Sequence, residues 1–98
     1  MGAHTFYTRA RGTDAESAFR SAVKDAQYHH GHGGYTGTIA EKTSFTQIPD
    51  DEVGDVEPQE YANQLIDEQD PRIDSKWGPA GCIHVEDDVY LFFGWASA

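Results

Sequence analysis

The chain has a single cysteine, Cys82, so it can form no internal disulfide, and a lone thiol also excludes the multi-cysteine frameworks that hold structural zinc. The reducing cytosol is the compartment this cysteine usage fits. Basic residues are scarce: seven Lys and Arg stand against 17 Asp and Glu, giving a net charge of −10. Nucleic-acid binding gains from counterion release only where a protein offers a basic footprint, so direct nucleic-acid binding is not expected. No apolar run approaches the ~18 residues that a membrane span requires. The opening Met1-Gly2-Ala3-His4 has neither a basic cluster nor an apolar stretch, so no secretory signal is expected either. Catalytic signatures are also missing. The paired-histidine spacing of helical zinc enzymes is absent, and no Asn or Asp spacing marks Cys82 and His84 as a thiol nucleophile with its base. The sequence therefore assigns no catalytic residue, metal or cofactor.

What remains is enough for one domain spanning residues 1–98, with 38% hydrophobic and 12% aromatic content. A core of that size is modest, and a homo-oligomer is expected as a further source of burial. The charge is uneven. Before residue 50, Arg9, Arg11, Arg20, Lys24 and Lys42 nearly balance Asp14, Glu16, Asp25 and Glu41. Between residues 50 and 74, Arg72 alone faces Asp50, Asp51, Glu52, Asp55, Glu57, Glu60, Asp67, Glu68, Asp70 and Asp74. Such a density of one sign exceeds what solubility needs, and it suits a partner that itself has a basic groove.

Alternation over His4–Arg11 predicts a first strand, with Phe6, Thr8 and Ala10 on one side. Thr13-Asp14-Ala15-Glu16 reads as a capping box that opens a helix, and Ala15, Ala18, Phe19, Ala22, Val23 and Ala26 form its narrow apolar stripe. The helix is expected to end near His30. A second strand is expected over Tyr35–Glu41, pairing with a third over Phe45–Ile48. An acidic loop over Pro49–Val56 precedes a helix that Pro58 begins and Asp70-Pro71 stops, with Tyr61, Ala62, Leu65 and Ile66 buried. Cys82–Glu86 and Val89–Trp95 flank Asp87-Asp88 as a terminal hairpin. The order predicts an α+β two-layer sandwich, two helices on one face of a mainly antiparallel sheet of four to five strands. The run Val89-Tyr90-Leu91-Phe92-Phe93 implies a strand covered on both faces, by its own chain or by a second subunit.

Two regions stand out as candidate sites. Tyr28-His29-His30-Gly31-His32-Gly33-Gly34-Tyr35-Thr36-Gly37-Thr38 gathers glycines, imidazoles, hydroxyls and rings where the first helix hands over to the next element. Tyr28, His30, His32, Gly33, Gly34, Tyr35, Thr36 and Thr38, joined by Trp77, are the candidate ligand-binding residues, with Arg9, Arg11 and Lys42 as nearby basic groups. The plain reading is a helix C-cap followed by a flexible entry, because phosphate cradles place glycines before a helix and not after one. The other region is acidic, with Asp50, Asp51, Glu52, Asp55, Glu57 and Glu60 as candidate partner-binding residues.

His30-Gly31-His32-Gly33-Gly34-Tyr35-Thr36-Gly37-Thr38-Ile39-Ala40-Glu41-Lys42 and Leu91-Phe92-Phe93-Gly94-Trp95-Ala96 resemble segments of small bacteriophage accessory proteins. The resemblance implies a viral protein working in the cytoplasm of a bacterial host, and it favours binding over catalysis. The leading expectation is a non-enzymatic protein that inhibits a host or defence protein through its acidic surface, in the manner of a nucleic-acid mimic. The alternative is an oligomeric binder that sequesters a nucleotide or nucleotide-derived signal in loop 28–38. A weaker third is a metal-dependent hydrolase built on His30, His32 and His84.

Overall fold

The computed structural model describes residues 2–30 and 36–97, with His30 described by its backbone only. Strand β1 (Ala3–Arg11) leads into helix α1 (Ala15–His30), and a 3-10 turn at Ile39–Glu41 precedes strand β2 (Phe45–Gln47). Two helices follow, α2 (Asp50–Val53) and α3 (Pro58–Asp67), and the hairpin β3 (Ala80–Glu86) and β4 (Val89–Ser97) closes the fold. The strands form one mixed sheet in the order β1-β4-β3-β2. Strand β4 pairs antiparallel with both β1 and β3, while β2 joins β3 in parallel. The protein is thus an α+β fold with helices packed on a four-stranded sheet.

The layering departs from the expected two layers. Helix α1 covers one face, where Ala18, Phe19 and Ala22 bury against Phe6, Cys82 and Phe92. Helix α3 covers the other, where Ala62, Leu65 and Ile66 bury against Ile83, Leu91 and Phe93. The reason lies in β4. Consecutive strand residues point to opposite faces, and Leu91, Phe92 and Phe93 are all fully buried, so each face of this strand needs a helix. Its apolar run is therefore satisfied within one chain.

Both apolar stripes fall where their spacing puts them, but the cap of α1 is displaced by one residue. The Asp14 carboxylate accepts the Ser17 amide at 2.8 Å, and the Ser17 hydroxyl accepts the Asp14 amide at 3.2 Å. Glu16 is left to pair with Arg20 one turn on. The shift is small in sequence and ordinary in physics, since Asp caps at least as well as Thr.

The strand expected over Tyr35–Glu41 is replaced, over its described part, by the 3-10 turn. Thr38 caps that turn by accepting the Ala40 amide, and the Glu41 carboxylate takes up the Gly37 amide at 2.7 Å and the Ser97 amide at 2.8 Å. Those local partners compete with a strand ladder for the same groups. Without that strand beside it, β2 pairs with β3, and the Ile48 amide extends the contact to the Cys82 carbonyl. Gly81 has a steric role here: a side chain in its place would meet the Phe93 ring at 2.4 Å. The acidic loop also contains a helical turn, α2, whose Val53 reaches the α3-side core.

Candidate functional site

Of the glycine-rich region, His32, Gly33, Gly34 and Tyr35, with the His30 side chain, lie outside the described residues. Tyr28 is 85% exposed near the end of α1, its ring edge-on to His29 at 5.3 Å. The hydroxyls of Thr36 and Thr38 lie 2.8 Å apart, and each is committed within the loop. Thr36 donates to Glu41 at 3.3 Å, while Thr38 accepts the Ala40 amide at 3.2 Å. Gly37, at φ +70°, occupies a conformation that favours glycine, and it lies against His4 at the start of β1.

The basic groups expected to serve this loop are elsewhere or already used. Arg11 is at the far end of β1 from His4, paired with Asp88 at 3.0 Å. Arg9 is five positions along the same strand, roughly 17 Å away at the usual strand rise. Lys42 is nearby but 4% exposed. Its ammonium donates to the carbonyls of Ser75, Lys76 and Gly78 at 3.4, 3.1 and 2.9 Å. Burial holds its pKa below the usual lysine value, opposed by the neighbouring Glu41 carboxylate. This cation is structural, and it fixes the turn that presents Trp77.

Trp77 is 68% exposed, its amide bonded to the Ser75 hydroxyl at 3.1 Å and the Lys76 ammonium 5.3 Å from its ring centre. An exposed indole on a fixed turn suits recognition, because a large rigid surface loses little conformational freedom on binding. No group of three His, Cys, Asp or Glu side chains converges as a metal site among the described residues. His84 is occupied with the Asp87 carbonyl at 2.7 Å and the Tyr90 ring. Cys82 is fully buried, and desolvation pushes its thiol up to about 12, so it is not a nucleophile at neutral pH.

The acidic segment divides into fastening charges and displayed charges. Arg72 spans two carboxylates, meeting Glu52 at 2.9 and 2.7 Å and Asp70 at 2.9 and 3.0 Å. The Tyr61 hydroxyl donates to the same Glu52 carboxylate at 2.7 Å. These bonds join α2 to α3 and to the turn behind it. Arg72 and then Tyr61 hold the Glu52 carboxyl at about 2, below its ordinary 4.5, and Arg72 also lowers Asp70. Glu57 caps its own helix, accepting the Gln59 amide at 2.9 Å. Asp50, Asp51, Asp55 and Glu60 are exposed, and their side chains make no hydrogen bond or ion pair among the described residues.

The sequence alone puts Glu52 beside Asp50 and Asp51 and Arg72 among ten acids, with nothing to pick the fastening pair. The one available signal was Arg72 itself, the only cation in a 25-residue segment with ten acids. No helix is long and apolar enough to cross a membrane among the described residues. Comparison with family models, with curated proteins and with solved structures finds no match, so the functional reading rests on this geometry.

Proposed function

We propose that this chain is a non-enzymatic binding protein, phage-encoded, whose acidic platform occupies a basic groove on a bacterial host or defence protein. One observation carries the reading: Asp50, Asp51 and Glu60 are displayed from two helices that the Arg72 fork and Tyr61 fasten together, and Asp55 from the turn that joins them. Carboxylates held on ordered backbone bind with less ordering cost than the same charges on a loose loop. Their single sign raises the association rate toward a basic partner, and salt screens that attraction. Glu52 serves the platform and Trp77 supplies an aromatic anchor beyond it. The small-molecule alternative is weakened, because Thr36, Thr38 and Lys42 are engaged internally and Arg9 and Arg11 lie away from the loop.

The test is affinity capture from bacterial lysate with the wild-type chain and with Asp50→Lys, Asp51→Lys and Asp55→Lys combined. The wild type is expected to retain a protein with a basic surface and to release it as salt rises. The triple variant, folded by circular dichroism, should retain little of it. Equal capture by both chains, or capture indifferent to salt, would refute the acidic-face reading.

A further inference from the structure

We infer that two copies of this chain join edge to edge through β1, making one continuous sheet across a two-fold axis. Strand β1 is nine residues long, is the last strand on its side of the sheet, and pairs with β4 without a register break from Ala3 to Arg11. Natural proteins blunt exposed edges with short strands, bulges, prolines or lysines. This edge has none of them, and its charged side chains are Arg9 and Arg11 toward one end. Helix α1 packs on one face of β1 and leaves a cleft of about 500 Å³ beside residues 8–11, while on the other face α3 sits over β3 and β4 and Tyr7 stays 37% exposed; no strand pairs with the outer edge of β1 among the described residues.

The hydrogen-bond phase identifies which groups face outward. The Gly12 amide donates to the Asp88 carbonyl, and antiparallel bonding alternates by residue, so Ala10, Thr8, Phe6 and His4 bond inward to β4. The backbone groups of Ala3, Thr5, Tyr7, Arg9 and Arg11 therefore point to the open edge. Tyr7 is the midpoint of the strand and belongs to that outward set. An antiparallel pair centred on Tyr7 engages every outward group of both copies, with about ten hydrogen bonds across the axis.

Charge agrees with this register. No acid occurs in β1, whereas ten of the 17 acids lie between residues 50 and 74, so this edge lets two chains of charge −10 approach away from their acidic segments. Antiparallel pairing places Arg9 opposite Thr5 of the second copy, and the two Arg9 positions fall roughly 14 Å apart, beyond the screening length at physiological salt. Asp67 of α3 lies close enough to Tyr7 to help, after burial, raise its phenol pKa. Arg9 of the second copy, diagonal to Tyr7, falls on the same face of the joined sheet, which places its charge toward that carboxylate.

Sedimentation of the full chain at roughly 100 µM should show a dimer that dissociates on dilution. Amide exchange locates the interface without any substitution: Thr5, Tyr7 and Arg9 should be protected in the dimer and exposed on dilution, while Phe6, Thr8 and Ala10 stay protected throughout. Thr5→Pro deletes an outward N–H that the monomer does not use, so it should give a folded monomer. Arg9→Glu should weaken association about tenfold, and adding Asp67→Arg should recover it. A wild type that remains monomeric at that concentration overturns the inference. So does a dimer whose Thr5, Tyr7 and Arg9 amides exchange freely, and so does one that Arg9→Glu leaves unchanged.

Discussion

The two faces of the sheet hold their key cations in opposite ways. On the α1 side, Lys42 is nearly fully buried, 6.0 Å from the centre of the Phe6 ring, and donates only to neutral carbonyls. On the α3 side, Arg72 lies at the rim with about a third of its side chain exposed, and it meets two carboxylates. The difference follows from solvent. A buried ammonium satisfied by backbone dipoles spares the fold a second buried ion, whereas at the rim two carboxylates stay partly hydrated while a planar guanidinium joins them. The buried cation fixes a turn, and the exposed one fixes a platform.

The largest loss of stability is expected from the core on the α1 side. Phe92 is fully buried, with ring centres of Phe19 at 5.5 Å and Phe45 at 5.7 Å. Phe92→Ala should cost about 3–5 kcal/mol in urea unfolding, much of the stability of a domain this size. Next is Lys42→Met, which keeps the buried stem and strips the Lys76 and Gly78 carbonyls of the ammonium, the Ser75 carbonyl keeping the Gly78 amide, at about 1–3 kcal/mol. It should also loosen the turn at residues 75–78, read as lower fluorescence anisotropy of Trp77 with Trp95 replaced by Phe. If Lys42 only filled space, the methionine would leave both measurements unchanged.

The smallest effect is expected at the Arg72 pair. Glu52→Gln should cost about 1 kcal/mol or less at neutral pH, because solvent at the rim screens the pair. Its signature is the pH dependence. The folded Glu52 carboxyl is held at about 2, below its ordinary 4.5, so its contribution is complete above pH 4.5 and is lost as pH falls from there toward 2. Unfolding midpoints of the wild type should therefore drop more steeply over that window than those of Glu52→Gln. Parallel curves would mean that Arg72 is held by Asp70 alone.

Much of the fold was legible in periodicity. The alanine-rich stripe of α1, the Leu65 and Ile66 face of α3 and the turn at Asp87-Asp88 all obey spacing rules that act over a few residues. Less of the candidate sites was legible, because lysines and carboxylates look alike in sequence until a distant segment engages them. Lys42 reads as a surface cation, yet carbonyls more than 30 positions away bury it. Glu52 reads as one acid of a run, yet Arg72, 20 positions on, separates it from Asp50 and Asp51.

Local pattern alone set where α1, α3 and the terminal hairpin lie, the burial of β4 on both faces, and the concentration of negative charge between residues 50 and 74, but not the short helix α2 inside the acidic loop. Side-chain period and charge count are local properties, and they survive any arrangement of the elements. Long-range packing settled that α1 and α3 take opposite faces, that β2 joins β3 in parallel, that β1 is the terminal strand of the sheet among the described residues, and which charges fasten and which are displayed. Those outcomes depend on which surfaces compete for the same partner, and that competition is settled between segments far apart in the chain.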